Sequence, residues 1–247
     1  MRIVNGVEML ELSMDVMGKT NFIYPVLVWD CDNVLLIDAG YPGQSLHIKD
    51  AMSKAGIPLN NLTKIIITHH DMDHIGSILG IQNELGIKAE ILAHKEEKPY
   101  IQGEQCPIKI AQMEARFESL PPEAKVLCKN MKSAYQKYSS HVDKTIEDNE
   151  ELPVCGGINI IHTPGHTPGH ISLYLKQFKI LIAGDSMFAE GGTLTPAPVF
   201  TNSDNDMALK SLEKLTQFDI ETVICYHGGI FKDNANKRIA ELANNKE

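Results

Sequence analysis

The 247-residue chain carries 23 Lys plus Arg against 32 Asp plus Glu, a formal charge of −9, with 43% hydrophobic and 22% charged residues. This composition excludes a disordered, collagenous or coiled-coil chain, and the length fits one large domain or two small ones. Acidic balance without a block of like charge speaks against nucleic acid and membrane as partners, and no apolar run approaches the roughly 20 residues of a membrane span.

Met1 to Leu12 has no continuous apolar segment and no cleavage site of small residues, so no secretory leader is expected. Phe22 to Trp29 and Val34 to Ile37 are rich in Val, Ile, Leu and aromatics and read as strands, with Asp38-Ala39-Gly40 breaking the second. Ser45 to Ala55 reads as a helix stopped by Gly56-Ile57-Pro58, and Lys64 to Thr68 as a short buried strand. Ile75, Ile78, Leu79 and Leu85 recur at helical spacing before Gly86, and Ala89 to Ala93 is a further strand. From Glu96 to Glu150 the strand signal fades. Leu127, Met131, Tyr135 and Tyr138 form a helical stripe there, and Pro121-Pro122 separates it from a helical piece around Ile110 to Leu120. We read residues 96–150 as a helical insertion within a single domain spanning 1–247, because the stripe needs another surface to pack on. Strands resume at Ile158 to Ile161, Ile171 to Leu175 and Ile180 to Ala183. A helix at Met207 to Phe218, a strand at Thr222 to Tyr226 and a terminal helix from Asp233 follow. Two similar sets of strands and helices flank the insertion, which suits an αββα sandwich.

Five cysteines, an odd number without a C-x-x-C pair, suggest reduced thiols and a cytoplasmic location, with Cys225 a small buried hydrophobe. The histidines are more informative. Thr68-His69-His70-Asp71-Met72-Asp73-His74 follows a strand and opens a helix. Imidazole and carboxylate bind divalent metals, and a strand-to-helix loop can fold several of them round one point. His166 lies in Thr163-Pro164-Gly165-His166-Thr167-Pro168-Gly169-His170, where Pro and Gly on both sides favour a tight turn. Asp185, in Ala183-Gly184-Asp185-Ser186, and His227, in Cys225-Tyr226-His227-Gly228-Gly229, each follow a strand. All four clusters therefore sit at strand ends, where an α/β layout gathers sites. His70 is expected to point away as a bystander. His162 and His170 read as turn or core residues, with His170 able to support its loop.

With these residues in this order the chain resembles the metallo-β-lactamase-fold superfamily. Its first metal motif is H-x-H-x-D-H, followed by a later His, a bridging Asp and a final His. The match runs from Asp38, in Leu36-Ile37-Asp38-Ala39-Gly40, to His227. The resemblance implies an α/β fold, a four-layer αββα sandwich, and two divalent metal ions per chain, zinc first with iron or manganese as alternatives. His69, Asp71 and His166 would hold one ion. Asp73, His74 and His227 would hold the other, Asp185 would bridge, and Asp38 would hydrogen-bond near a ligand His. A hydroxide between the ions would attack an ester, thioester or lactone, with Asp73 able to accept a proton.

Position 71 departs from the family pattern: it is Asp where most members have His. The extra carboxylate should weaken the Lewis acid and favour iron or manganese over zinc, so Asp71→His is expected to raise zinc occupancy. The flavodiiron relatives carry Glu there. The competing reading is thus a di-iron or manganese redox protein acting on oxygen or a sulfur compound. Gly184-Asp185-Ser186-Met187-Phe188 resembles the G-D-T-L-F of glyoxalase II, yet the glutathione-binding Lys that follows it has no counterpart in Ala189 to Thr195. Acyl-homoserine lactone lactonases have Tyr where Phe188 stands. The expected partner is a small-molecule substrate whose contacts are unassigned, a homodimer is left open, and the insertion is expected to cover the metal cleft and help select substrate.

Overall fold

The computed structural model describes residues 1–16 and 18–244. The chain opens with β1 (Arg2–Val4), β2 (Val7–Met9) and a hairpin of β3 (Leu12–Val16) and β4 (Lys19–Ile23). Then come β5 (Val26–Trp29), β6 (Val34–Ile37), α1 (Ser45–Lys54), β7 (Lys64–Ile67), the single turn α2 (Met72–Ile75) and β8 (Glu90–His94). Three helices follow, α3 (Lys98–Ile101), α4 (Ile108–Ala115) and α5 (Pro122–Tyr138), and then β9 (Lys144–Ile146). The second half holds β10 (Glu151–Leu152), β11 (Ile158–His162), β12 (Ile171–Leu175), β13 (Ile180–Gly184) and a hairpin of β14 (Met187–Glu190) and β15 (Thr193–Pro196). It closes with α6 (Asn205–Leu215), β16 (Thr222–Cys225), β17 (Gly229–Phe231) and α7 (Ala235–Asn244).

One sheet runs β1-β2-β5-β6-β7-β8-β9 and the other β10-β11-β12-β13-β16-β17. In the first, β6 through β9 are parallel neighbours, so each must be joined by a crossover. Successive strand residues point to opposite faces, and here both faces are buried. Leu35, Ile37, Ile66 and Leu92 pack inward against Ile160, Leu173 and Ile182 of the other sheet. Leu36, Ile65 and Ile67 pack outward under Ile48 and Met52 of α1. On the far side Leu181 and Val223 cover Leu212 and Leu215 of α6 and Ile239 of α7. Three apolar layers separate four structural layers, the expected αββα sandwich. Burial on both faces also explains why β6, β13 and, after Lys64, β7 read as unbroken apolar runs.

Several boundaries differ from expectation. The strand at Phe22 to Trp29 is two strands, because Pro25 has no N–H to continue a ladder; Phe22 belongs to the β3–β4 hairpin. The helix expected through Leu85 is the one-turn α2 and a separate π turn at Gly80–Glu84. The helical insertion ends at Tyr138, short of Glu150, since Lys144–Ile146 pairs with β8 as the last strand of the first sheet. The stripe on α5 is also displaced. Leu127 is 51% exposed, while Cys128 and Tyr135 are buried. Eight residues carry Leu127 roughly 80° round the helix from Tyr135, off the face that meets the core.

Candidate metal centre

Thr68 directly follows β7 and is held by Asp38, which follows the neighbouring strand β6. The backbone N–H of Thr68 donates to Asp38 Oδ1 at 2.8 Å and its hydroxyl to Oδ2 at 2.8 Å. Asp38 Oδ2 also accepts from His74 Nδ1 at 2.9 Å, so the other ring nitrogen of His74 is the one aimed into the site. Asp38 has a left-handed φ of 63°, a conformation Asp tolerates better than most side chains, and it is 1% exposed.

His166 is carried by the loop between β11 and β12. Gly165 has φ +135°, and a Cβ there would lie 2.3 Å from the backbone nitrogen of Ala208 in α6, so only glycine lets this loop lie so close to the helix. His170 fixes the loop's far end. Its Nδ1 pairs with the Thr163 hydroxyl at 2.9 Å and its Nε2 accepts the Asp185 backbone N–H at 2.9 Å. Burial, reinforced by the His166 charge, pushes its pKa down to about 3, so it stays neutral and keeps the lone pair this bond needs. His170 thereby positions Asp185. Tyr226 donates its hydroxyl to the Asp73 carbonyl at 2.5 Å and lies beside His227.

All seven side chains singled out in the sequence converge. His69, Asp71 and His166 form one cluster; Asp73, His74 and His227 form a second; His69, His74 and Asp185 meet between them, with the offered atoms of each group within 4.8 Å of one another. Asp185 lies 3.4 Å from His74, 3.6 Å from His166 and 3.3 Å from His227. His69 Nε2, His74 Nε2 and Asp185 Oδ1 are buried with no hydrogen-bond partner. Unpartnered buried polar atoms are costly, and three of them aimed at shared points are what divalent ions would satisfy. The donor set, imidazole with carboxylate, suits zinc, iron or manganese.

His70 is no bystander. It is 2% exposed; its backbone N–H donates to Glu97 Oε2 at 2.8 Å and its Nδ1 contacts the same oxygen. Glu97, fully buried, accepts with Oε1 from the Thr167 hydroxyl and the Gly169 N–H, each at 2.7 Å. One carboxylate thus ties the loop of His69 to the loop of His166. Burial opposes its ionisation, but the His70 charge and these donors hold its pKa below the ordinary value. His162 lies outside the centre, stacked on His94 and bonded to the Pro168 carbonyl, and Cys225 is fully buried. Besides Glu97, two further insertion residues reach the centre. Tyr135 of α5 donates its hydroxyl to the His70 carbonyl at 2.9 Å. Lys109 of α4 sets its Nζ 2.5 Å from Asp71 Oδ2 and 3.3 Å from His166 Nε2. Neither Lys109 nor Glu97 belongs to any motif; the only hint was their position in a segment lying between two metal-type motifs.

Charge is balanced within the centre by protons. Burial opposes it, but Asp38, Asp185 and Asp73 hold the His74 pKa well above its usual value, and Asp185 and Asp73 raise His227 to about 10. Burial also works against Asp185, yet His227 and His74 keep it well below the carboxylate range. At neutral pH His227 therefore carries a proton that a metal must expel. We expect metal binding to release protons and to strengthen as pH rises toward about 10, weakening in acid. Calorimetric titration in two buffers of different ionisation enthalpy reads this directly; a binding heat independent of buffer would refute it.

The family model described as the metallo-beta-lactamase superfamily matches residues 19–227. "Probable metallo-hydrolase YflN" of Bacillus subtilis is 29% identical over 228 residues, covering 85% of this chain and 81% of its own length. "Hydroxyacylglutathione hydrolase GloC" of Haemophilus influenzae is 26% identical over 225 residues, covering 89% and 92%. Among solved structures, a metallo-beta-lactamase family protein of Thermus thermophilus has a TM-score of 0.75 at 21% identity, over 98% of this chain and 79% of that one, a likeness of fold. Among the described residues no helix is long and apolar enough to cross a membrane.

Proposed function

The chain belongs to the metallo-beta-lactamase superfamily and is a metal-dependent hydrolase; on that premise we propose that it uses two divalent ions to cleave a thioester, ester or lactone. The observation that carries the proposal is the convergence of unpartnered His69 Nε2, His74 Nε2 and Asp185 Oδ1 from two separate sheets. His69, Asp71 and His166 would hold one ion, Asp73, His74 and His227 the other, and Asp185 would lie between them. Bound ions supply Lewis acidity and an acidified water. The chain's own residues do the rest. Asp38 orients His74, His170 orients Asp185, and Glu97 fixes the two loops relative to one another. Asp73 has an oxygen 3.3 Å from His227 Nε2 and could also accept a proton during the reaction. An acyl thioester or ester is favoured by the matched hydroxyacylglutathione hydrolases; a glutathione carrier is not, because Ala189 to Thr195 offers no lysine. The substrate is a small molecule, and zinc is the first metal to try.

The test is elemental analysis beside a panel of acyl thioesters, esters and lactones. About two equivalents of metal and turnover of at least one class, abolished by a chelator and restored by metal, are expected. A fully loaded protein that turns over none of them, while reducing oxygen or oxidising a sulfur compound, would replace hydrolysis by the redox alternative that a carboxylate at position 71 suggests.

A further inference from the structure

The two clusters are unequal. At the first, one ammonium, Lys109 Nζ, contacts both Asp71 Oδ2 and His166 Nε2, two of the three atoms that would hold an ion there. Asp71 Oδ2 is itself 3.1 Å from His166 Nε2 and 3.6 Å from His69 Nε2, so the three ligand atoms are gathered round the ammonium's partner. At the second, no lysine or arginine among the described residues pairs with Asp73 or Asp185; their ionic partners are imidazoles alone. Lys109 is the second residue of α4, and the next residue, Ile110, is fully buried in the outer core, so the helix holds its backbone in place. Its side chain is 28% exposed and has solvent to move into. Among the described residues it makes no ion pair with any carboxylate other than Asp71.

We infer that Lys109 gates the first metal position, so that the chain takes up its two ions in unequal steps, the Asp73–His74–His227 position first. The inference rests on the two-ion reading above. A divalent ion and an ammonium cannot share the same carboxylate oxygen and imidazole lone pair, because like charges at such separation repel strongly in a half-buried site. Loading the first position therefore costs the Lys109–Asp71 pair, whereas no lysine or arginine has to leave the second. The helical insertion, through this one side chain, sets how much of the chain carries both ions at a given metal concentration.

The metal-free chain is titrated with Zn²⁺ against a competing chelator, with bound metal measured by elemental analysis at each step. The expected wild-type result is one tight equivalent and a second at least roughly tenfold weaker. In Lys109→Met the weaker step should tighten until the two are within a few fold, while Lys109→Arg should keep the gap. Lys109→Gln is a second uncharged variant and must show the same closing, which keeps the test decisive if the Met variant folds poorly by circular dichroism. Histidine ring NMR signals should identify the order, with His227 and His74 shifting in the first step and His69 and His166 in the second. Two equivalents with an unchanged gap in both uncharged variants, or the reverse order of ring shifts, overturn the gate and leave the two-ion reading standing. A single equivalent in every variant overturns the two-ion reading and the gate with it.

Discussion

Glu97→Ala should lower unfolding free energy by about 3–5 kcal/mol and drain both metal positions together. The side chain is fully buried and receives donors from both metal-bearing loops: the His70 N–H and ring, the Thr167 hydroxyl and the Gly169 N–H. Alanine strands all of them without acceptors, and each such loss costs about 1–3 kcal/mol. Against ordinary domain stabilities of about 5–15 kcal/mol this is a large share. Glu97→Gln keeps the shape but turns one acceptor into a donor facing donors, so an intermediate loss is expected. Because the Glu97 carboxyl is held below its ordinary pKa of 4.5, its contribution is complete above that value and is lost as pH falls through the depressed one. Denaturant unfolding at pH 7 and at a series of pH values descending below 4.5, with metal content measured in parallel, checks this. A wild-type midpoint in Glu97→Ala would show that the two loops are held by something else.

Asp71→His, taken alone, should weaken metal binding at the first position by roughly tenfold or more, the opposite of what the motif by itself suggests. Lys109 reverses the sign. In the natural chain the carboxylate and the ammonium offset one another, so the pair carries the same net charge as a neutral His at that position would. Burial opposes ionisation of Asp71, but the adjacent His166 and His69 rings and the Lys109 charge hold its pKa well below the carboxylate range, so the offset persists into acid. Histidine at 71 would leave the ammonium facing imidazoles without a counter-charge. Asp71→His combined with Lys109→Met should recover binding and prefer zinc to manganese, since imidazole suits zinc better than carboxylate does. Metal affinities of the two single variants and the double variant form a cycle whose coupling term should be large. Should Asp71→His raise zinc occupancy with Lys109 in place, the two side chains do not act as a unit.

The centre was legible where chemistry is written in consecutive residues. His69 to His74 and Thr163 to His170 announce themselves because one loop must present several donors within a few positions. Lys109 and Glu97 do not, because a single charged residue in a helical segment looks like any solvated one; what makes them matter is a contact 38 residues away for Lys109 and 72 for the Glu97–Gly169 bond. His70, expected to point away, does not, because the buried carboxylate of Glu97, 27 residues along the chain, draws its ring inward. The core strands were readable from continuous apolar runs. β1 and β2, three residues each and carrying Arg2 and Glu8, were not, since so short a run has no period to detect. The β14–β15 hairpin, by contrast, had its signal in Gly191-Gly192 between Glu190 and Thr193, a two-residue connection of the kind that closes hairpins.

The order of the sheets has a consequence for how the molecule could be divided. Everything that builds the first large sheet lies before residue 147, and everything that builds the second lies after residue 150. The donors are divided at the same boundary: His69, Asp71, Asp73 and His74 on one side, His166, Asp185 and His227 on the other. Neither piece alone holds a complete set for either ion, and each exposes one broad apolar sheet face that the other was covering. A chain nicked in this short connection is therefore a natural two-fragment reporter. Its halves would be drawn together by the apolar faces, and the metal would act as the clasp that decides whether reassembly is lasting or fleeting.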